Sequence, residues 1–281
     1  SEGTPGHGFL EGGAHGGADS PKLPSLLCFD FDGTMVRAHS EDPMSEALIE
    51  ELDHWVKRGI SWVINTGRTE EQLRDALVIR AQSLCPDYVI LEETGLYQCH
   101  SLVDWEPLGT WNQGRDWAHF LLKRRCARAL SHLREFVEQK TRGTYLPREL
   151  RVDEVVSETE AEMDRIAAVL DELKANGVED LSYQRNSIYL RMGHRYYQKG
   201  STLQALARSL GIPTEEVLAA GDNLNDLPML RREVAGWIWG PPGALPEVKE
   251  QIRSEGGRVW DESDGEGLAD CLRLIRSGGV L

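Results

Sequence analysis

From Leu26 onward, short apolar runs alternate with longer amphipathic stretches, and this alternation constrains the fold more than any other feature of the chain. Leu26 to Phe29 is an apolar run, Ser45 to Lys57 is amphipathic and closes at Gly59, and Ile60 to Ile64 is apolar again. Short apolar runs bounded by turn residues read as strands buried on both faces, and apolar spacing of three to four between them reads as helix. Thr69 is placed to cap a further helix, with Glu70 and Glu71 in its first turn at the positive end of the helix dipole. Tyr88 to Leu91 supplies a third strand. Strand, helix and strand in this order imply parallel pairing, because each helix carries the chain back across the sheet.

After Leu91 the pattern changes. Glu93 to Cys99 contains Gly95 and reads as a turn or hairpin, and a long amphipathic segment runs from about Asp116 to Gln139. Strand candidates at Leu150 to Val156 and Ser187 to Met192 flank a helix from Glu160 to Ala175. The earlier alternation then returns, with a helix at Ser201 to Leu210, a strand at Val217 to Ala220, a short helix near Leu227, and further strands and helices. The expected architecture is an α/β, doubly wound parallel-sheet core of the Rossmann-like kind, made by residues 25–105 and 193–281, interrupted by an inserted α+β unit at 106–192. Residues 1–24 are Gly-rich, lack apolar periodicity and read as disordered, with no secretory-signal pattern.

The net charge of −15 excludes a basic face for a nucleic-acid backbone. No apolar run approaches the ~18 residues that cross a bilayer, so no membrane partner is expected. Such an acidic chain handles anionic substrates only where a bound cation and a few Lys or Arg residues reverse the local field. The five cysteines are scattered, odd in number and without a C-x-x-C pair, which points to reduced thiols and a cytoplasmic setting. Cys28, flanked by Leu26, Leu27 and Phe29, reads as a small buried hydrophobe.

The chemistry concentrates in Asp30-Phe31-Asp32-Gly33-Thr34, directly after the first apolar run. Open α/β sheets bind ligands beyond the carboxyl ends of their strands, where this cluster falls. Two carboxylates two positions apart can share a divalent cation, and Gly33 permits a sharp turn. Alone, the motif also reads as a solvated Asp-rich turn. Three later clusters join it: Thr66-Gly67-Arg68 after the second strand, Lys199-Gly200 before a helix, and Gly221-Asp222-Asn223-Leu224-Asn225-Asp226 after the strand ending at Ala220. Thr66 offers a hydroxyl to a phosphoryl oxygen, Lys199 a compact positive charge, and Asp222 a hard oxygen ligand for Mg²⁺.

These four motifs, in this order and in these strand contexts, resemble those of the haloacid-dehalogenase-like phosphatase superfamily, in particular its members with a large cap between the second and third motifs. The resemblance runs from Leu26 to about Asp270. It implies that Asp30 attacks phosphorus, and that Asp32 protonates the leaving alkoxide and then activates water against the aspartyl-phosphate. It also implies Mg²⁺ held by Asp30, Asp32 and Asp222, with Asp226 at the metal site orienting a bound water or Lys199. Thr66, Gly67, Arg68, Lys199 and Asn225 are the implied phosphate or substrate contacts.

The insertion resembles the cap of a subgroup containing many sugar-phosphate phosphatases, sucrose-phosphate phosphatase and phosphomannomutase. The implied partner is a small phosphorylated metabolite, a sugar or sugar acid, and both monomer and homodimer stay open. A phosphomutase-type phosphotransferase and a catalytically silent binding protein are the alternatives. Silent relatives would lose the nucleophile, the acid/base or a metal ligand, and none is lost here. In the cap, Arg148, Arg151, Arg185 and Asn186 read either as selectors of the leaving group or as a solvated surface, and Trp105, Trp111 and Trp117 as packing residues or a sugar-binding face. Glu92-Glu93-Thr94-Gly95 departs from the Asn- and Gly-rich stretch that the resemblance leads one to expect beside the site.

Overall fold

The computed structural model describes residues 22–262 and 264–279, so the expected disorder of the first residues falls, up to residue 21, outside the described residues. Residues 22–24 are anchored: Pro24 is buried, and the Lys22 carbonyl accepts a hydrogen bond from the Trp237 indole at 3.2 Å. No helix among the described residues is long and apolar enough to cross a membrane.

β1 (Leu26–Phe29), α1 (Glu46–Lys57), β2 (Ser61–Asn65), α2 (Glu70–Arg80) and β3 (Tyr88–Leu91) follow the expected alternation. Thr69 caps α2 as anticipated: its hydroxyl accepts from Gln72 N–H at 3.3 Å while the Gln72 side chain accepts from Thr69 N–H at 3.1 Å. The expected hairpin is a longer excursion, β4 (Gly95–Ser101) and β5 (Asp104–Pro107), which adds two antiparallel strands to the sheet edge.

The inserted segment comprises α3 (Trp111–Arg125), α4 (Ala127–Lys140), β6 (Thr144–Leu146), β7 (Glu154–Val156), α5 (Glu160–Ala175), β8 (Leu181–Asn186) and β9 (Tyr189–His194). α6 (Lys199–Ser209), β10 (Val217–Ala220), β11 (Trp237–Gly240), α7 (Pro246–Ser254), β12 (Arg258–Val259) and α8 (Asp264–Arg276) complete the main domain. Its eight-stranded sheet runs β12-β11-β10-β1-β2-β3-β4-β5, parallel from β12 to β3. Alternate residues of the central β1 feed the two faces. Leu27 and Phe29 join a cluster with Leu48, Leu77 and Leu272 of α1, α2 and α8, whereas Leu26 and Cys28 join Leu203 and Ile252 of α6 and α7. Both faces are therefore covered, as a doubly wound sheet requires.

The insertion builds a separate four-stranded antiparallel sheet, β6-β7-β9-β8, over its own core of Leu133, Val155, Ile166, Leu170 and Leu190. Several details differ from expectation. The single amphipathic segment is two helices that break at Cys126, and the first begins earlier, at Trp111. Only Glu154–Val156 of the strand expected from Leu150 pairs, because buried Asp153 binds Arg148 N–H at 2.9 Å and the Tyr145 hydroxyl at 2.7 Å and holds a loop there. Ser187 takes φ +54° in the β8–β9 turn, so the last cap strand starts at Tyr189. Pro107 pairs with Tyr97 in the large sheet, two residues past the expected end of the first core segment, and His194 with Leu181 in the small one, two residues past the expected end of the insertion.

Candidate active site

Asp30 follows β1 immediately, and its N–H donates to the Ala220 carbonyl at 2.9 Å, which fixes it between the carboxyl ends of β1 and β10. The chain then turns tightly, with Gly33 N–H on the Val36 carbonyl at 2.7 Å. Gly33 has φ +82°, and a Cβ there would stand 2.1 Å from Asp222 Oδ2, so backbone conformation and the approach of Asp222 both demand glycine. The Thr34 hydroxyl donates to Asp222 Oδ1 at 3.2 Å. Asp30, Asp222 and Asp226 each contribute an oxygen to a group whose members all lie within 4.8 Å of one another.

Lys199 is fully buried at the start of α6, its ammonium 2.9 Å from Asp30 Oδ1 and 2.6 Å from Asp226 Oδ1. Asn65 helps to place it by donating to the Lys199 carbonyl at 3.1 Å. Burial works against this charge, but the carboxylates of Asp226, Asp30 and Glu93 outweigh it and hold the lysine well above its usual range. Asp30 moves well above the carboxylate range, first through burial and then through Asp226, with Lys199 opposing. Asp222 is pushed up to about 6, chiefly by burial. Three carboxylates facing one ammonium leave a deficit of positive charge that a divalent cation would fill.

Asp226 has little capacity left for a metal. Its Oδ1 holds Lys199, and its Oδ2 accepts from the N–H groups of Asp222 at 2.8 Å and Asn223 at 3.0 Å. The Asp32 side chain stands outside this group, in a bidentate pair with Arg68 at 2.7 and 2.8 Å. Arg68 thus meets Asp32, and its N–H donates to the Thr66 hydroxyl at 3.1 Å. Asn225 donates to Glu93 Oε1 at 2.8 Å, and its own oxygen has no partner among the described residues. The Gly67 carbonyl accepts from Arg191 Nη2 at 3.1 Å.

Glu93 and Arg191 join the two domains, and sequence reasoning singled out neither as a site residue. Arg191 of β9 lies 3.3 Å from Glu93 and 2.9 Å from Glu154 of β7, and Arg151 pairs with Glu92. Glu92 and Glu93 take φ +48° and +71°, the left-handed conformation that Asn and Gly adopt most readily. The departure noted in the sequence therefore keeps the backbone shape and adds two carboxylates. Strand alternation held a signal for Arg191, since Leu190 and Met192 enter the cap core and leave Arg191 on the opposite face.

Of the other cap candidates, Arg148 rests on Glu154 and Arg185 on Asp164, while Asn186 is exposed. The three tryptophans share no face: Trp105 is in the main core, Trp111 bonds the Thr94 carbonyl at 3.0 Å, and Trp117 is exposed and stacked on Phe120. Cys28 is buried as expected, its thiol pushed up to about 12, chiefly by desolvation.

Residues 23–244 match the family described as sucrose-6F-phosphate phosphohydrolase. A phosphoglycolate phosphatase of Methanothrix thermoacetophila is 26% identical over 257 residues, 91% of this chain and 98% of that protein. Among solved structures, a sucrose-phosphatase from Synechocystis, in complex with sucrose and phosphate, superposes with a TM-score of 0.67 at 16% identity, covering 90% of this chain and 98% of that one. A haloacid dehalogenase-like hydrolase from Bacillus subtilis gives a TM-score of 0.59 at 18% identity, covering 89% and 99%. These two structures speak to the fold.

Proposed function

The chain belongs to the sucrose-6F-phosphate phosphohydrolase family, within the haloacid-dehalogenase-like phosphatases, and from that premise we propose that it is a magnesium-dependent phosphomonoester hydrolase working through an aspartyl-phosphate. The observation that carries this reading is the buried Lys199, bridging Asp30 and Asp226 beside Asp222 at the carboxyl ends of β1 and β10. Taking a charge out of water is costly even when it is paired, and this one is retained where a phosphoryl group would need a cation.

In the first step Asp30 attacks phosphorus, the bond to the ester oxygen breaks, and Asp32 gives its proton to the departing alkoxide. In the second, Asp32 takes a proton from water, the hydroxide oxygen bonds to phosphorus, and the bond to Asp30 breaks, releasing phosphate and returning Asp30 as a carboxylate and Asp32 as the protonated acid that began the cycle. Arg68, paired with Asp32, positions that carboxylate and must release it for proton transfer. Lys199 and Thr66 face the charge that develops on the phosphoryl oxygens. Asp226 acts through Lys199.

The donor set fits Mg²⁺: Asp30 and Asp222 are hard oxygen ligands in a cluster short of positive charge, with the Asp32 carbonyl completing the protein's share. The bound ion would neutralise phosphoryl oxygens and keep Asp30 ionised. The substrate proposed is a small phosphorylated metabolite, a sugar phosphate or a relative of one, received between cap and core.

The test is phosphate release from sugar phosphates and an aryl phosphate, with and without Mg²⁺. Magnesium-dependent release is expected from the native protein, and Asp30→Asn, which keeps size and removes the nucleophile, should lower turnover by at least about 10³-fold while leaving thermal unfolding cooperative. A near-normal rate in that variant would sink the mechanism.

A further inference from the structure

Two of the five cysteines meet outside the site described above. Cys28, Cys126 and Cys271 are buried, whereas Cys85 and Cys99 keep part of their surface in solvent. The two come from opposite arms of the β3–β4 hairpin: Cys85 lies in the segment that leads into β3, and Cys99 lies within β4. The hairpin ladder pairs Tyr88 with Gln98, and one step further Cys99 N–H donates to the Asp87 carbonyl at 2.8 Å. A backbone bond therefore holds Cys99 beside the short stretch Cys85-Pro86-Asp87.

That stretch has little freedom to move away. Pro86 fixes its own φ and disfavours helical backbone at Cys85. The chain bends at Asp87 instead of running on along the ladder, and the Asp87 carboxylate pins the bend to β2 by accepting from Trp62 N–H at 3.0 Å. Across this bend the thiols make contact. Cys99 S–H donates to Cys85 Sγ, and Cys85 S–H donates to the Pro86 carbonyl at 3.4 Å.

The contact gives the two sulfurs different parts. The bond from Cys99 lowers the Cys85 thiol below its ordinary value, against the opposing effects of burial and of Asp87. Cys99 moves the other way, chiefly because it gives that bond. The thiolate is the reactive form of cysteine, so Cys85 attacks first and Cys99 follows. Arg74 favours the second ionisation, since its guanidinium lies 4.6 Å over the ring of Trp105, the β5 residue paired with Cys99.

We propose that Cys85 and Cys99 are a modification site, a dithiol that low-molecular-weight disulfides of the glutathione kind convert into an internal disulfide. The Cys85 thiolate attacks one sulfur of glutathione disulfide, a bond forms between them, the original S–S bond breaks, and one glutathione leaves as thiolate. The Cys99 thiolate then attacks Cys85 Sγ, the mixed bond breaks, and the second glutathione leaves. The two thiol protons of the protein end on the two glutathione thiols; the protein pair loses two electrons and the glutathione disulfide gains them. The new bond closes the base of the hairpin whose turn carries Glu92 and Glu93, the carboxylates that meet Arg151 and Arg191 of the cap. Oxidation thus clamps the strand pair that supports the contact between the domains. The inference is independent of the phosphohydrolase reading.

The experiment incubates the folded native protein with glutathione disulfide, blocks the remaining thiols with iodoacetamide in denaturant, and maps the peptides by mass. Trypsin leaves both cysteines in one peptide, residues 81–115, and a protease that cuts after Glu92 or Glu93 parts them unless they are bonded. The expected peptide is two hydrogens lighter than its reduced form, stays joined after the second cut and separates on adding dithiothreitol, while Cys28, Cys126 and Cys271 are recovered as free thiols. Cys99→Ser should stop with glutathione on Cys85, and Cys85→Ser should attach glutathione at Cys99 at least about 10-fold more slowly than Cys85 does. No bond between the two in the native protein, glutathione on each separately, or a bond from either to a third cysteine overturns the inference. A Cys99 that outpaces Cys85 overturns the order of attack. Hydrogen exchange reads the clamp: β3 and β4 should exchange more slowly in the oxidised protein, and equal rates overturn it. Should a Ser variant fail to fold, the native peptide map decides.

Discussion

Lys199 opens α6, where the positive end of a helix dipole disfavours a cation by about 0.3–1 kcal/mol, and it is fully buried as well. Both penalties are offset by Asp30 and Asp226, so the three side chains form one unit. Lys199→Met is expected to lower the stability of the metal-free protein by about 3–5 kcal/mol in urea denaturation, because the carboxylates are left facing one another. The same cluster sets a pH dependence. Asp222 titrates near 6 in the folded chain against 3.8 as its ordinary value, so its contribution to stability is present at low pH and is lost as pH rises through about 6. Mg²⁺ competes with those protons, and its gain in Tm should be larger at about pH 7 than at about pH 5, with ~2.7 kcal/mol of stabilisation at a hundredfold excess over Kd. His119 titrates in a neighbouring window with the opposite sign, its stability present above 6.5 and lost as pH falls towards 4. The magnesium increment, and not Tm alone, therefore isolates the metal site. The motif aspartates and Lys199 were legible because each follows or precedes a strand or helix visible in local pattern. Arg191 was legible only as the side of its strand that faces away from the cap core, because its meeting with Glu93 is brought about by remote parts of the chain.

Local pattern also sorts the elements. α2 announced itself through Thr69 and Gln72, whose capping bonds lie within one turn, and β1 to β3 through apolar runs buried on both faces. Of the cap strands, β7 and β9 coincide with expected runs, whereas β6 is three residues long and β8 fully buries only Leu181, so composition did not distinguish these two from loop; pairing with β7 and β9 makes them strands. α3 begins at Trp111 because Asn112 is tied to β4, a contact invisible in amphipathic spacing. Asn112→Ala leaves the Leu96 N–H unpaired, while the Leu96 carbonyl keeps the Leu108 N–H at 3.1 Å, and is expected to cost about 1–3 kcal/mol, with hydrogen exchange accelerated first in the opening turn of α3. The turn after β1 is equally exacting. Gly33→Ala adds left-handed strain of about 1–3 kcal/mol and pushes Asp222 aside, so calorimetry should show weaker Mg²⁺ binding together with lower stability.

The chain carries a net charge of −15, yet the reaction proposed for it consumes an anion. At ionic strength of about 0.01 M the field extends ~30 Å and opposes the substrate, whereas at about 0.15 M it is screened within ~8 Å. Steady-state kinetics should then show kcat/KM rising severalfold with salt at saturating Mg²⁺ while kcat stays level. Acidity was plain in the sequence; the gathering of Lys199 with Asp30 and Asp226 needed the fold. Charge does further work at the two margins of the large sheet. A free strand edge invites a neighbouring molecule to add its own strand. β5 meets that risk with exposed Asp104 and Glu106, with Pro107, and with an irregular register near Cys99 and Ser101, while β12 at the other margin is only two residues long. At these two margins the described residues offer a second copy no long straight run of unpaired peptide groups, and the large sheet makes a poor template for fibre growth from the native state.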